Sequence, residues 1–279
     1  MSVDRRSVLR STARLAALSA AGGLAAACGS SSEGTDPAQS SVAARSQPSH
    51  LAEGSAPSPA VPPSAAPTAS APALPPLAAN TPQEVVSGPR TRPQLALTFH
   101  GQGDPAIAEA LLKAAEQHGA RLTVLVVGSW LDQQPQMAQR ILAGGHELGN
   151  HTQNHLDISS MRPQQAHDEI AQCAERLQRL TGSIGRWFRP SATQYANAMV
   201  KEQARQVGYE HVLSFDVDPR DYADPGADTV THRVLKSAAA GSVVALHMGH
   251  PGTAQALPAI LDGLAAKGLH AVTASELCA

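Results

Sequence analysis

A histidine and an aspartate follow an apolar segment in the sequence LTFHGQGDP, residues 97–105. The apolar residues 95–99 predict a buried strand, which ends at His100, two glycines and Asp104. Imidazole and carboxylate groups can bind a metal ion or move a proton. A strand that ends in both groups and a glycine loop therefore indicates a functional site rather than a simple turn.

The motif HTQNH places two further imidazoles later in the chain. His151 and His155 are four residues apart, so both rings could reach one ion if the segment forms a helical turn. Two imidazoles suit Zn²⁺, which in catalytic sites usually has three protein ligands and an open position for water. Such an ion makes water a nucleophile for a carbonyl or phosphoryl centre. We expect one divalent ion per chain, with zinc as the ion.

Candidate proton-transfer groups lie further along the chain. His247, in LHMGH, ends an apolar run and could act as a general acid that protonates a leaving amine. Asp218 and Asp221, in DVDPRDY, could orient that imidazole, although Asp221 could instead cap a turn after Pro219. Arg189, in FRPS, could hold a carboxylate or form a structural ion pair.

These polar residues share one feature, which is that each follows a predicted strand. Seven strand-like segments alternate with helical segments from residue 95 onward. Such alternation predicts a parallel sheet, either open or closed into a (β/α) barrel. Because the carboxyl ends of parallel strands converge on one face, we expect the polar side chains to meet at a single mouth.

The amino-terminal residues 1–28 resemble an export signal. Arg5 and Arg6 precede a short apolar run that ends before Cys28. The arginine pair is similar to a twin-arginine signal, and LAAAC, residues 24–28, is similar to a lipoprotein box. We expect either a lipid anchor at Cys28, which would hold the protein on the outer face of the cytoplasmic membrane, or cleavage near Ala27 and free secretion. The membrane would be a partner only through this anchor.

Composition divides the rest of the chain into two parts. Residues 29–93 consist mainly of Ala, Pro, Ser, Thr and Gly, which predicts a disordered linker. Residues 94–279 have the length of one domain. Its cysteines, Cys173 and Cys278, could form a disulfide in an oxidising compartment or stay buried and unpaired. The net charge of −2 gives no reason to expect a nucleic-acid partner, and we expect a monomer.

The segments TFHGQGD, HTQNH, FRPS, DVDPRDY and LHMGH, in this order, resemble the five motifs of the polysaccharide deacetylases, the NodB-homology group of carbohydrate esterase family 4. The resemblance covers residues 94–279. It implies a distorted (β/α) barrel of about seven parallel strands, of the NodB-homology type. It also implies a hydrolase that uses a divalent metal to remove N- or O-acetyl groups from chitin-like polymers, peptidoglycan or xylan.

The resemblance also implies a role for each matched residue. The implied metal ligands are His151 and His155. The implied general acid is His247, with Asp221 or Asp218 as its supporting carboxylate. Arg189 would brace the catalytic base, and a backbone N–H near Ala192 would help to stabilise the oxyanion. The family has Asp-Asp where this chain has His100-Gly101, so the base and one metal ligand need substitutes. Asp104 could supply the ligand from the glycine loop, and His100 could serve as the base or as a third imidazole ligand.

The residues expected to line the substrate site also differ from those of the family. Tyr222 stands where tryptophan is usual, and Ser191-Ala192 stands where Pro-Tyr is usual. We expect an exported metal-dependent deacetylase of carbohydrate. The alternatives are a deacetylase-like protein that binds a glycan without turnover, and a hydrolase of a small amide or ester. Aromatic residues make up only 3% of the chain, and the candidates for stacking on sugar are Trp130, Trp187, Tyr195 and Tyr222.

Overall fold

Parallel strands form a single curled sheet with helices packed against it. The computed structural model describes residues 74–279. The expected export signal, the expected anchor residue Cys28 and linker residues 29–73 lie outside the described residues. Within residues 74–279, none of the helices combines the length and the apolar character that crossing a bilayer requires.

The strands are β1 (Glu84–Val85), β2 (Gln94–Gly101), β3 (Thr123–Val126), β4 (Glu147–Asn150), β5 (Trp187–Phe188), β6 (His211–Leu213), β7 (Val243–His247) and β8 (His270–Ala271). The helices are α1 (Pro105–Gln117), α2 (Gly128–Gln133), α3 (Gln136–Ala143), α4 (Pro163–Thr181), α5 (Ala198–Val207), α6 (Ala227–Ser237), α7 (Pro251–Ala266) and α8 (Ala274–Leu277). Short 3₁₀ turns occur at Ile158–Ser160 and Asp221–Ala223.

The sheet is a barrel that is closed only by isolated contacts. Its strand order is β1-β6-β5-β4-β3-β2-β7, and β8 pairs with β2 outside this path. Two single bridges, Ser87 with Ser242 and Val217 with Val244, connect the β1–β6 side to the β7 side without a continuous ladder. This geometry confirms the predicted distorted (β/α) barrel.

Alternation along β2 separates two cores and places the first histidine. Leu95, Leu97 and Phe99 pack in the cluster between the sheet and the helices, whereas Ala96 belongs to the cluster inside the barrel. His100 has the parity of Ala96, so it lies on the inner side at the carboxyl end of β2. Its register partner across the parallel β2–β7 pair is His247.

All seven predicted strands are present, and the structure adds β1. The sequence prediction started the domain at residue 94, but β1 pairs with β6 and the Glu84 carboxylate accepts hydrogen bonds from Ala196 N and Ser214 Oγ, both at 2.8 Å. The domain boundary at residue 94 is therefore wrong, because the end of the expected linker is part of the fold. A strand of two residues is too short to show a pattern of alternation.

The structure describes both cysteines of the domain as buried and unpaired. Cys173 donates a weak hydrogen bond from Sγ to Val126 O at 3.4 Å, and burial raises the pKa of its thiol to about 12. The sequence left open a disulfide or two buried, unpaired thiols, and the structure has the unpaired thiols.

Candidate active site

Three histidines converge at the carboxyl ends of the strands. His100 ends β2, and His151 and His155 come from the loop that follows β4. One ring nitrogen from each lies within 4.8 Å of the other two. The rings of His100 and His151 stack with centroids 4.2 Å apart, and the centroids of His151 and His155 are 4.8 Å apart. The distances between the ring nitrogens allow the three imidazoles to bind one ion.

The loop of residues 151–155 reaches this geometry without the helical turn on which the sequence prediction depended. Thr152 and His155 both have left-handed backbone angles, with φ of 68° and 56°. Such angles cost non-glycine residues of the order of 1 kcal/mol or more, so the surrounding contacts must hold them. Thr152 N donates to Asn150 Oδ1 at 2.8 Å, and Asn154 donates from N and Nδ2 to the carboxylate of Glu169 on α4.

Burial favours the neutral form of these imidazoles. Desolvation lowers the pKa of His100 and of His151 well below the usual range, and neighbouring imidazoles lower both further. Burial also lowers the pKa of His155, whose ring is only partly enclosed. A neutral imidazole has the lone pair that a metal ligand needs.

The hydrogen bonds of the cluster leave specific nitrogen atoms free. His151 Nδ1 lies 3.0 Å from Arg189 O, and a carbonyl only accepts, so Nδ1 carries the proton and Nε2 has the lone pair. Among the described residues, His151 Nε2 and His100 Nε2 are buried and have no hydrogen-bond partner. Buried polar atoms are normally satisfied, so two orphaned nitrogens in one cluster fit a bound metal ion.

A second histidine and a carboxylate extend the cluster. His247 Nε2 lies 2.8 Å from His100 Nδ1, and His247 Nδ1 lies 2.7 Å from Asp221 Oδ1. Of the two candidate carboxylates, Asp221 is therefore the one that contacts His247, whereas Asp218 is exposed and accepts from Arg220 N. Thr253 Oγ donates to Asp221 Oδ2 at 2.7 Å, a contact that no sequence motif signalled.

A cavity of about 270 Å³ opens beside the histidines. Its lining contains the sequence-predicted residues His100, His155, His247, Ala192, Asp218 and Tyr222, together with Pro190, Thr193, Gln194, Phe215 and Ala245. Ala192 has a left-handed φ of 58°, and its N–H has no hydrogen-bond partner among the described residues. The Tyr222 ring stands edge-on to His247 with centroids 5.2 Å apart. The polar side chains therefore meet at one cavity, as the sequence predicted. Gln194 and Phe215 also line this cavity and were not predicted from the sequence.

The relatives of this chain agree with the motifs. A family model described as polysaccharide deacetylase matches residues 87–212. A peptidoglycan-N-acetylglucosamine deacetylase of Bacillus cereus is 33% identical over 193 residues, which is 68% of this chain and 90% of the relative. The chain belongs to the polysaccharide deacetylase family. A chitooligosaccharide deacetylase of Bradyrhizobium sp. is 31% identical over 60% of this chain and 74% of its own length.

Solved structures of this polysaccharide deacetylase family share the barrel. The Bc1960 peptidoglycan N-acetylglucosamine deacetylase superposes with a TM-score of 0.66 at 28% identity, over 70% of this chain and 92% of that one. A carbohydrate esterase family 4 pseudoenzyme from Bacillus anthracis superposes with a TM-score of 0.67 at 21% identity, over 71% of this chain and 70% of that one. At 21% identity the second likeness concerns the fold alone.

The packing around the first motif of this chain leaves little room for a side chain at position 101. A Cβ at position 101 would lie 2.7 Å from Val124 Cγ1 and 3.0 Å from Val126 Cγ1. A side chain at Gly101 therefore requires that the Val124 side chain or strand β3 shift. Among residues 74–279, the group that the structure places together with His151 and His155 is His100 and not a carboxylate.

Asp104 lies outside the three-histidine group. Its side chain is exposed, and its Oδ1 accepts from Ala106 N at 2.8 Å, which caps helix α1. The preceding loop is also fixed, because Trp130 Nε1 donates to Gly103 O at 2.8 Å and a Cβ at Gly103 would lie 2.4 Å from Gly249 Cα. The structure does not bring the Asp104 carboxylate to the other expected metal ligands.

Arg189 is fully buried and has no carboxylate partner among the described residues. Its Nε donates to Leu213 O at 2.7 Å and its Nη2 to Thr98 Oγ at 2.8 Å, while Nη1 has no partner within residues 74–279. Burial lowers the pKa of this guanidinium to about 9. Arg189 was expected to brace the catalytic base, and His100 stands in this chain at the position where the family has that base.

Proposed function

We propose that this protein is an exported, metal-dependent hydrolase that removes acetyl groups from a carbohydrate. The observation that carries the proposal is the three-histidine group with two buried, unpartnered nitrogens beside a cavity. The relatives named as deacetylases of peptidoglycan and of chitooligosaccharides support an N-acetylated glycan as the substrate class.

The proposed cofactor is one zinc ion held by His100, His151 and His155. Three imidazoles are a ligand set typical of catalytic zinc, and hydrogen bonds to His247 and to Arg189 O orient the rings of His100 and His151. A zinc ion there would polarise the acetyl carbonyl and lower the pKa of water toward neutrality, which would reduce the need for a carboxylate base.

The residues that line the cavity would orient the substrate. The free N–H of Ala192 is the proposed donor to the oxyanion that forms when the carbonyl is attacked. Tyr195 and Tyr222 are half-exposed, with Tyr222 in the cavity wall and Tyr195 next to Gln194, and they are the proposed stacking surfaces for sugar. Trp130 and Trp187, the other two stacking candidates, are buried, so that part of the sequence prediction is wrong.

His247 remains the proposed general acid for the leaving nitrogen or oxygen. Asp221 aligns its ring, and the imidazole lies in the cavity wall. To donate, His247 must carry a proton on Nε2 directed into the cavity, and this requires that its 2.8 Å contact with His100 Nδ1 opens.

Export and membrane attachment are part of the proposal, and they rest on residues 1–28 alone. A diacylglycerol group on Cys28 would place the domain outside the cytoplasmic membrane. In the native host, Cys28→Ser should move the protein from the membrane fraction to the soluble exported fraction. Retention of the variant in the membrane fraction would contradict the anchor.

Glycan binding without turnover is the second candidate, and the missing carboxylates at positions 100 and 101 favour it. Acetate release separates the candidates. We expect zinc-loaded protein to release acetate from N-acetylglucosamine oligomers, and His151→Ala to lose at least about 100-fold in rate. Tight oligomer binding without acetate over long incubation would support the binding protein. Faster release from a short acetylated aryl ester than from the oligomers would support a small-ester hydrolase.

A further inference from the structure

A hydrogen-bonded chain runs from Asp221 through His247 to His100. Asp221 Oδ2 accepts from His247 N at 2.8 Å and from Thr253 Oγ at 2.7 Å. Asp221 Oδ1 faces His247 Nδ1 at 2.7 Å, and His247 Nε2 faces His100 Nδ1 at 2.8 Å. The chain ends at His100 Nε2, which is buried and has no partner among residues 74–279.

The direction of each hydrogen bond follows from the carboxylate. A carboxylate only accepts, so His247 Nδ1 must carry the proton that points to Asp221. Neutral His247 then has its lone pair on Nε2, and this nitrogen can only accept from His100 Nδ1. With His247 neutral, the proton of His100 is therefore on Nδ1, and its lone pair is on Nε2. Arg189 O imposes the same tautomer on His151.

We propose that Asp221 and His247 are positioning residues that fix the tautomer of His100, so that His100 Nε2 is presented as the third metal ligand beside His151 and His155. Partners of this kind behind a metal-bound imidazole orient the ring and set which nitrogen binds. This inference rests on the proposed function, because it concerns the same metal. It gives His247 a role that general acid catalysis does not require.

Asp221→Asn tests the direction of the chain. The backbone N–H of His247 cannot change its polarity, so the Asn oxygen must face it and the Asn NH₂ must face His247 Nδ1. His247 then carries its proton on Nε2 and donates to His100 Nδ1, which forces the proton of His100 onto Nε2 and blocks the ligand. We expect zinc affinity to fall by about 10- to 100-fold.

Two further variants provide the comparison. Asp224→Asn is the matched control, because Asp224 Oδ1 pairs with His250 Nδ1 at 2.8 Å near the same mouth and neither residue bonds to His100. It should leave zinc affinity within about twofold. His247→Ala removes the constraint without imposing the wrong tautomer, so its affinity should fall less than that of Asp221→Asn, by about 2- to 10-fold.

The experiment measures zinc affinity of the full chain by competition with a chromophoric chelator near pH 8, where unperturbed histidines are neutral. Long-range ¹H–¹⁵N NMR of the metal-free wild type gives the tautomer directly, without any variant that has to fold. We expect a bare Nε2 on His100 in the wild type and a protonated Nε2 in Asp221→Asn.

A protonated Nε2 on His100 in the wild type, or unchanged zinc affinity in Asp221→Asn, would overturn the inference. A wild type that binds no zinc but shows the expected tautomer would instead overturn the proposed metal-dependent function. If Asp221→Asn fails to fold, the tautomer of His100 in the wild type and the zinc affinity of His247→Ala still test the inference. If His247 acts only as a general acid on the leaving group, its removal leaves zinc affinity unchanged.

Discussion

At the scale of single residues, His100 stands at a position where the resemblance to the family implies a carboxylate. Sequence reasoning identified the missing carboxylates and left His100 as either base or ligand. The choice between base and ligand depends on which ring nitrogen faces His247 and which lies near His151, and these contacts cannot be read from the sequence. The hypothesis for Asp104 rested on the unusual backbone angles that Gly101 and Gly103 allow. In the structure, Trp130 and Gly249 contact the loop, and the Asp104 carboxylate caps helix α1.

Gly101→Asp would test whether the carboxylate of the family can simply be restored. The new Cβ would lie 2.7 Å from Val124 Cγ1, and a charged group would enter a buried strand. We expect the free energy of unfolding in urea to fall by about 3 kcal/mol or more, with no gain in zinc content.

Gly252→Asp is the control for that substitution. Gly252 lies in the first turn of α7, and a Cβ added there would have Ala227 N as its nearest neighbour, at 3.9 Å. An acidic residue near a helix amino terminus is tolerated, so the change should stay within about 1 kcal/mol. A Gly101→Asp variant as stable as this control, or one with increased zinc content, would show that the first motif is not closed to a carboxylate.

At the scale of elements, the long periodic segments were predictable and the short ones were not. The helical segments that alternate with the predicted strands correspond to α1 and α3–α7. Missing from the prediction are α2, with 6 residues, α8, with 4, and β1, with 2, because so few residues cannot display a period.

The loop of residues 151–155 shows a different limit of prediction. Four-residue spacing suggested a helical turn, but the two left-handed residues are held by Asn150 and by Glu169, which lies on α4. A tertiary contact therefore decides this local conformation. The spacing of His151 and His155 indicated a candidate metal site but did not predict the backbone conformation of the loop.

At the scale of the whole molecule, the parallel barrel explains why residues far apart in sequence share a site. The register of β2 with β7 sets His100 opposite His247, and β4 delivers His151 and His155 to the same end of the sheet. This convergence was predictable from the position of polar residues after strands. Its incomplete closure through single bridges was not predictable, because bridge partners such as Val217 and Val244 carry no distinctive sequence signal.

The central claim is that three imidazoles form one zinc site, and the metal content of the full chain tests it most directly. Elemental mass spectrometry should find about one zinc per chain in the wild type, a loss of zinc in His100→Ala and His151→Ala, and retention in Asp104→Ala. The last variant loses a helix cap worth about 1 kcal/mol but no ligand. Absence of zinc from the wild type under non-chelating conditions, or its loss in Asp104→Ala with retention in His100→Ala, would contradict the three-imidazole site.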